Sequence, residues 1–255
     1  MGSVQVAIYN IGGTFISIFQ NITSVISSVF SPQASTIVFK NKPIEESTNL
    51  MIKVGRIQYL IVGLILSGFV VFGKDFLIYW AGNGYEDSYY VALLTMFPIA
   101  IPLIQNIAFS TTLAMNKITF RSYVYIFIAL INVISTYLVL PYFGIIGAAV
   151  CTALSFVIGQ GVVLNIYYHY VIKLDMINFW KNILYMSFVP VLMSIIFSVI
   201  LISFPIKSFF QLFEFIILYT ILYCIFSWIF SMNEYEKKLI LSCINKAKIR
   251  LYNKN

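Results

Sequence analysis

Seven stretches of about twenty residues read almost without charge, at about 5–29, 57–73, 91–114, 122–140, 145–167, 182–203 and 210–230. Hydrocarbon about 30 Å thick demands helical runs of that length, because lipid offers the backbone no hydrogen-bond partner and each segment must satisfy its own N–H and C=O groups. Only 10% of the 255 residues are charged and 60% are hydrophobic, against roughly 25% charge in an ordinary soluble domain. The expected fold is therefore all-α. It is a polytopic membrane helix bundle of about seven transmembrane helices over residues 1–230, followed by a basic tail over 231–255.

The net charge of +7 would suggest nucleic acid if the cations sat on one soluble face, but they lie between the apolar runs. Lys40, Lys42, Lys53 and Arg56 follow the first run; Lys117 and Arg121 follow the third; Lys173 and Lys181 follow the fifth; six more stand in the tail. Those are fourteen of the sixteen Lys and Arg residues, and the alternate connections hold only Lys74 and Lys207. The positive-inside rule places the first group in the cytoplasm, with the C-terminus inside, and the cations so assigned leave no expectation of a nucleic-acid partner. Seven passes then put the N-terminus outside. The first Lys or Arg is Lys40, so there is no cationic start of a secretory signal. A chain that begins outside without such a signal is expected to be the C-terminal portion of something longer.

Catalytic and metal chemistry find no foothold. Cys151 and Cys224 stand in apolar runs and Cys243 in the tail, without the spacing of a zinc site or a disulfide framework, and read as small apolar fillers. His169, the single histidine, has no Asp, Glu or Cys cluster beside it. No phosphate loop, nucleophile elbow or HExxH helix occurs. No catalytic residue, metal or cofactor is expected, and the chain does not read as an enzyme. The crowd of Tyr79, Trp80, Tyr85, Tyr89 and Tyr90 in the longest outer connection reads as an interfacial aromatic belt.

The fifth run gives up bulk in a regular way. Gly147, Cys151, Ser155 and Gly159 recur every fourth residue, flanked by Ala148 and Thr152 on one side and Ala149 and Ala153 on the other. No hydrophobic force drives helices together in lipid, so such a stripe predicts close backbone approach to a neighbouring helix. Polar residues sort the other runs. Asn10, Thr14, Ser17, Gln20, Asn21, Ser24 and Ser28 fall on one face of the first, which is expected to meet water or other helices. The third carries Gln105 and Asn106 and two prolines, Pro98 and Pro102, that free backbone carbonyls. The sixth and seventh are nearly all apolar and are expected at the lipid-facing rim.

No ionisable side chain lies at the centre of a run. Arg56 stands near a span end, where it can snorkel as an anchor; it also marks the cytoplasmic mouth, where an anionic headgroup would come in. In the tail, Asn233 and Glu236 have capping-box spacing. Leu239, Ile240, Cys243, Ile244 and Ala247 form an apolar face among basic residues, predicting a helix that lies on the inner leaflet and its anionic lipids.

Three segments resemble one family. IYNIGGTFISIFQNITSVISSVFSPQAS is similar to a flippase helix that ends in a hydrophobic–Pro–small–Ser turn. FGKDFLIYWAGNGYEDSYYVALLTMFPIAIP resembles the hairpin that follows, and PYFGIIGAAVCTALSFVIGQ resembles a recurrent Tyr-x-Gly-x-x-Gly-Ala-Ala segment; together they cover about residues 8–165. The family is the Wzx-like polysaccharide biosynthesis proteins, flippases of the superfamily that also holds the lipid II flippase and the MATE drug exporters. The resemblance implies the C-terminal part of a two-lobed transporter with alternating access. Its substrate would be an undecaprenyl-pyrophosphate-linked oligosaccharide, and its partners membrane lipids, the missing N-terminal lobe, and a polysaccharide polymerase with chain-length proteins. Asn10, Gln20, Asn21, Gln105 and Asn106 would meet sugars, and Arg56 the headgroup. Such flippases usually place cations in the central cavity and this segment shows none, so the chain alone is not expected to transport. A cation-coupled exporter of the same superfamily, a membrane glycosyltransferase, polymerase or ligase, and a non-transporting scaffold are the competing readings.

Overall fold

The computed structural model describes residues 3–252, with side chains from Val4 to Ser242 and at Asn245. The described chain is helical throughout, without a strand. α1 (Ser3–Phe39) and α2 (Ile44–Ala81) have 37 and 38 residues, about 55 Å each at 1.5 Å per residue, so both overshoot the hydrocarbon. α1 runs straight through Pro32, which lies inside the helix; the hydrophobic–Pro–small–Ser turn implied by the family resemblance is absent. The stop comes later and has a local cause. Asn41 takes a left-handed conformation (φ 48°), Asn41 N–H donates to Val38 O and Lys42 N–H to Ile37 O, and Pro43 bars further helix: a Schellman close.

The third run is two helices, α3 (Asp87–Ile104) and α4 (Asn106–Ala114), parted at Gln105 (φ −102°, ψ 16°). Pro98 and Pro102 stay inside α3; the break falls three residues after the second. Asn116 (φ 56°) closes α4 as Asn41 closes α1, with Lys117 N–H donating to Thr112 O.

Among the described residues, six helical segments are long and apolar enough to cross a membrane, and the fourth of these spans 52 residues, Thr119–Tyr170. At about 78 Å it is more than twice the hydrocarbon thickness. It doubles back at Gly144 (φ 58°, ψ −150°), a conformation that side chains with a Cβ reach only under strain. Thr152 Oγ1 donates to Asn132 Oδ1 at 3.2 Å across the resulting hairpin. The small stripe lies in this contact: a Cβ on Gly159 would fall inside the Ile128 side chain, and one on Gly147 would meet Val139 and Phe143. Two passes of one segment bring the total to seven. α5 (Thr119–Phe156) then widens into a π-turn at Val157–Val163 before α6 (Leu164–Tyr170). The carbonyl of Gln160 accepts from Asn165 Nδ2 at 2.8 Å there.

α7 (Met176–Ser203) starts at Asp175, whose carboxylate accepts from Asn178 N–H, and α8 (Phe209–Phe226) starts at Ser208, which does the same for Gln211 N–H. α2 is the hub and packs against α1, α3, α4, α7 and α8. The expectation that the last two spans sit together at the rim holds for α8, which buries only Leu212, Tyr219 and Tyr223. α7 lies along α2 and buries one face from Met176 to Phe197, while Leu184, Tyr185, Phe188, Val191 and Val199 stay exposed on its other side. Tyr219 forms edge-to-face pairs with Phe72 (5.5 Å) and Phe197 (4.9 Å) where α2, α7 and α8 meet. A second π-turn, Ser227–Ser231, leads to α9 (Glu234–Tyr252).

The bundle sorts its connections by charge. Asp175 N–H donates to Thr48 Oγ1, Arg121 donates to the Tyr168 hydroxyl, and Arg56 pairs with Glu236, so the turns α1–α2, α4–α5, α6–α7 and α8–α9 share one end. Tyr79 meets Phe209 edge to face and Lys74 lies 3.9 Å from Glu86 at the other.

Candidate functional site

α1 carries its polar residues outward. Asn10, Thr14, Ser17, Asn21, Ser24 and Ser28 are all exposed and span about 80° of the helix at about 100° per residue, with Gln20 on one edge. The exposed residues on the other edge are apolar: Ile18, Val25 and Val29 are 51%, 65% and 70% exposed. The polar edge turns toward the first half of α5, across an open cleft of about 500 Å³ lined by Asn10, Tyr9, Gln5, Asn132, Thr136 and Tyr137. The apolar edge turns toward α2 and α8, where Ile18, Phe69, Phe72 and Ile216 line a groove of about 300 Å³.

The chemistry of the polar edge is neutral. Thr14 and Ser17 donate to the carbonyls of Asn10 and Gly13, and Ser24 and Ser28 to those of Asn21 and Val25. Their protons being directed back into the helix, these hydroxyls present acceptor lone pairs outward. Asn10, Gln20 and Asn21 supply amide donors and acceptors, with no side-chain partner among the described residues. Across the cleft, Asn132 Oδ1 accepts from Thr136 Oγ1 (3.1 Å) and Thr152 Oγ1 (3.2 Å), which leaves its amide N–H groups for a ligand. No group of three or more His, Cys, Asp or Glu converges among the described residues, so amides and hydroxyls are what the cleft offers.

The structure separates the six residues singled out by sequence. Asn10, Gln20 and Asn21 share the open face of α1. Gln105 and Asn106 are inside the bundle, contrary to a place on the cavity wall. Gln105 Nε2 donates to Asn165 Oδ1 (2.8 Å), which also accepts from Trp180 Nε1 (2.7 Å), and this joins the α3–α4 break to the π-turn and α7. Asn106 Nδ2 and Gln58 Nε2 both donate to Ser27 Oγ, while Ser110 donates to Ser31, tying α4 and α2 to the inner side of α1. In an apolar interior such amides must be paired, and these hold helices together.

Arg56 is likewise withdrawn from the mouth. It is 5% exposed and Glu236 2%. Nε donates to Glu236 Oε1 at 2.6 Å and Nη2 to Oε2 at 3.1 Å, Nη2 also reaches Ser231 O at 2.8 Å, and Nη1 reaches Asn182 Oδ1 at 3.4 Å. The same carboxylate accepts from Asn233 N–H, and Asn233 Oδ1 accepts from Glu236 N–H, both at 2.9 Å. The capping box is thus formed as its spacing foretold. Its Glu also neutralises the arginine, so the start of α9 docks on α2 and α7 instead of lying free on the leaflet. Lys53 Nζ adds a contact 3.8 Å over the Tyr235 ring. Leu239 and Ile240 are half-buried; the side chains of Cys243, Ile244 and Ala247 lie outside the described residues.

Sequence reasoning missed Asn132, Thr136 and Tyr137. The available signal was an i, i+4 amide and hydroxyl pair in an otherwise apolar run. Comparison with protein-family models, with curated proteins and with solved structures found no match.

Proposed function

We propose that the chain is a membrane lobe of a Wzx-like flippase, which moves an undecaprenyl-pyrophosphate-linked oligosaccharide from the inner to the outer leaflet of the bacterial cytoplasmic membrane. One observation carries this reading: a transmembrane helix presents an exposed stripe of uncharged amides and hydroxyls along most of its length. Facing acyl chains, each unpaired amide would cost several kcal/mol. The stripe therefore suits water and a polyhydroxyl ligand, with further helices of another lobe across from it. Sugars are neutral and match such a surface; the diphosphate needs cations, and in this reading the other lobe supplies them. The end that gathers ten of the twelve Lys and Arg side chains between Val4 and Ser242 faces the cytoplasm.

The test is complementation of a flippase-null strain by the full-length gene. Asn10→Leu and Asn21→Leu are expected to lower surface polysaccharide about tenfold at unchanged protein level, the scale of one lost polar contact. Gln105→Ala and Asn106→Ala are expected to lower protein level instead, since both residues hold the bundle. Full polysaccharide from the Asn10 and Asn21 variants together would remove the stripe from the substrate path.

A further inference from the structure

Arg56 is met by a carboxylate, but Arg121 is not. It stands half-buried in the first turn of α5, where Nη1 donates to the Tyr168 hydroxyl at 3.0 Å and Nη2 to the Tyr125 hydroxyl at 2.9 Å. Its Cζ lies 4.2 Å from the centre of the Phe109 ring and 5.2 Å from that of Tyr125, so aromatic faces cover the guanidinium plane. None of the ion pairs among the described residues includes Arg121, and the sequence has no Asp or Glu between Asp87 and Asp175.

The hydrogen-bond inventory of this cluster is lopsided. A guanidinium has five N–H donors, and three of them, the Nε–H included, have no acceptor among the described residues. The protons of the Tyr125 and Tyr168 hydroxyls are in the same position: both oxygens accept from Arg121, and neither donates to another described group. Tyr168 is 2% exposed, so its proton cannot simply turn to bulk water. One positive charge and five undirected donors converge, which suits a tetrahedral anion with several acceptor oxygens and a fork-shaped approach. Toward the membrane, α5 continues as an exposed apolar face through Tyr123, Ile126, Phe127 and Leu130, 57–66% exposed. A hydrocarbon chain attached to the anion can lie along it.

We propose that Arg121, Tyr125 and Tyr168 form a binding site for the phosphate group of a membrane lipid, with the lipid chain resting on α5. The site needs a membrane but no transport, so it stands or falls apart from the flippase reading. The full-length protein is placed in nanodiscs of phosphatidylcholine and phosphatidic acid in equal amounts, and native mass spectrometry reads which lipid stays bound. The wild type is expected to enrich phosphatidic acid. Arg121→Gln should reduce that enrichment about tenfold, and Arg121→Lys, which keeps the charge but loses the fork, several-fold. Tyr125→Phe with Tyr168→Phe, which keeps both rings, should reduce it about threefold, and Lys207→Gln at the opposite end should leave it unchanged. Equal enrichment in the wild type, Arg121→Lys and the double tyrosine variant overturns the site even if Arg121→Gln does not fold. Displacement of bound phosphatidic acid by an excess of inorganic phosphate also overturns it, because the ligand would then be a soluble phosphate.

Discussion

Glu236 serves two elements with one carboxylate, closing the first turn of α9 and neutralising Arg56. Breaking a buried pair from one side leaves a charge without a partner, which costs about 3–5 kcal/mol. Glu236→Gln is therefore expected to lower the thermal midpoint of the purified protein by many degrees, and Arg56→Met with Glu236→Gln to recover much of that loss. A double variant as unstable as the sum of the single ones would mean the two side chains do not act together. The local half of this arrangement was legible, because Asn233 and Glu236 are three residues apart. The other half was not. Arg56 and Glu236 are 180 residues apart, and nothing in sequence spacing tells a snorkelling arginine from one that a distant carboxylate will meet. Gln105 and Asn106 were misplaced for the same reason: a polar residue in an apolar run signals a partner, and sequence does not say whether that partner is water, ligand or another helix.

At the scale of elements, the hairpin within residues 119–170 rests on two glycines with different tasks. Gly144 supplies a backbone conformation that other residues adopt only under strain, and Gly159 supplies room for Ile128. Gly144→Ala is expected to cost about 1–2 kcal/mol of backbone strain. Gly159→Leu is expected to cost about 1–3 kcal/mol or more by overpacking. Thermal unfolding in detergent measures both, and a Gly159→Leu protein as stable as the parent would contradict the close hairpin contact. The every-fourth-residue stripe made this contact readable in advance, since its period is that of a helix face. The helix ends were harder. Asn41 followed by Pro43, and Asn116 ahead of the next span, carried the stop signals, whereas Pro32, Pro98 and Pro102 suggested ends or kinks and lie within helices. Neighbouring helices and Ser or Thr side chains re-satisfy a carbonyl freed by proline.

The whole molecule is a charge-sorted bundle with one exposed polar helix edge. Two features of its sequence, apolar run length and the alternation of basic connections, specified the passes and which connections share an end. The cleft between α1 and α5 was only half specified, because α1 shows a dense polar face while α5 contributes three residues hidden in an apolar run. Cysteine scanning along α1 in intact membranes, with Cys151, Cys224 and Cys243 replaced by Ser, reads the central claim directly. A membrane-impermeant maleimide is expected to label cysteines at positions 10, 17, 21 and 28 and to spare those at 18, 25 and 29, which are as exposed but lie on the apolar edge. Equal labelling of both sets, or labelling of neither, would contradict a water-lined polar path along this helix.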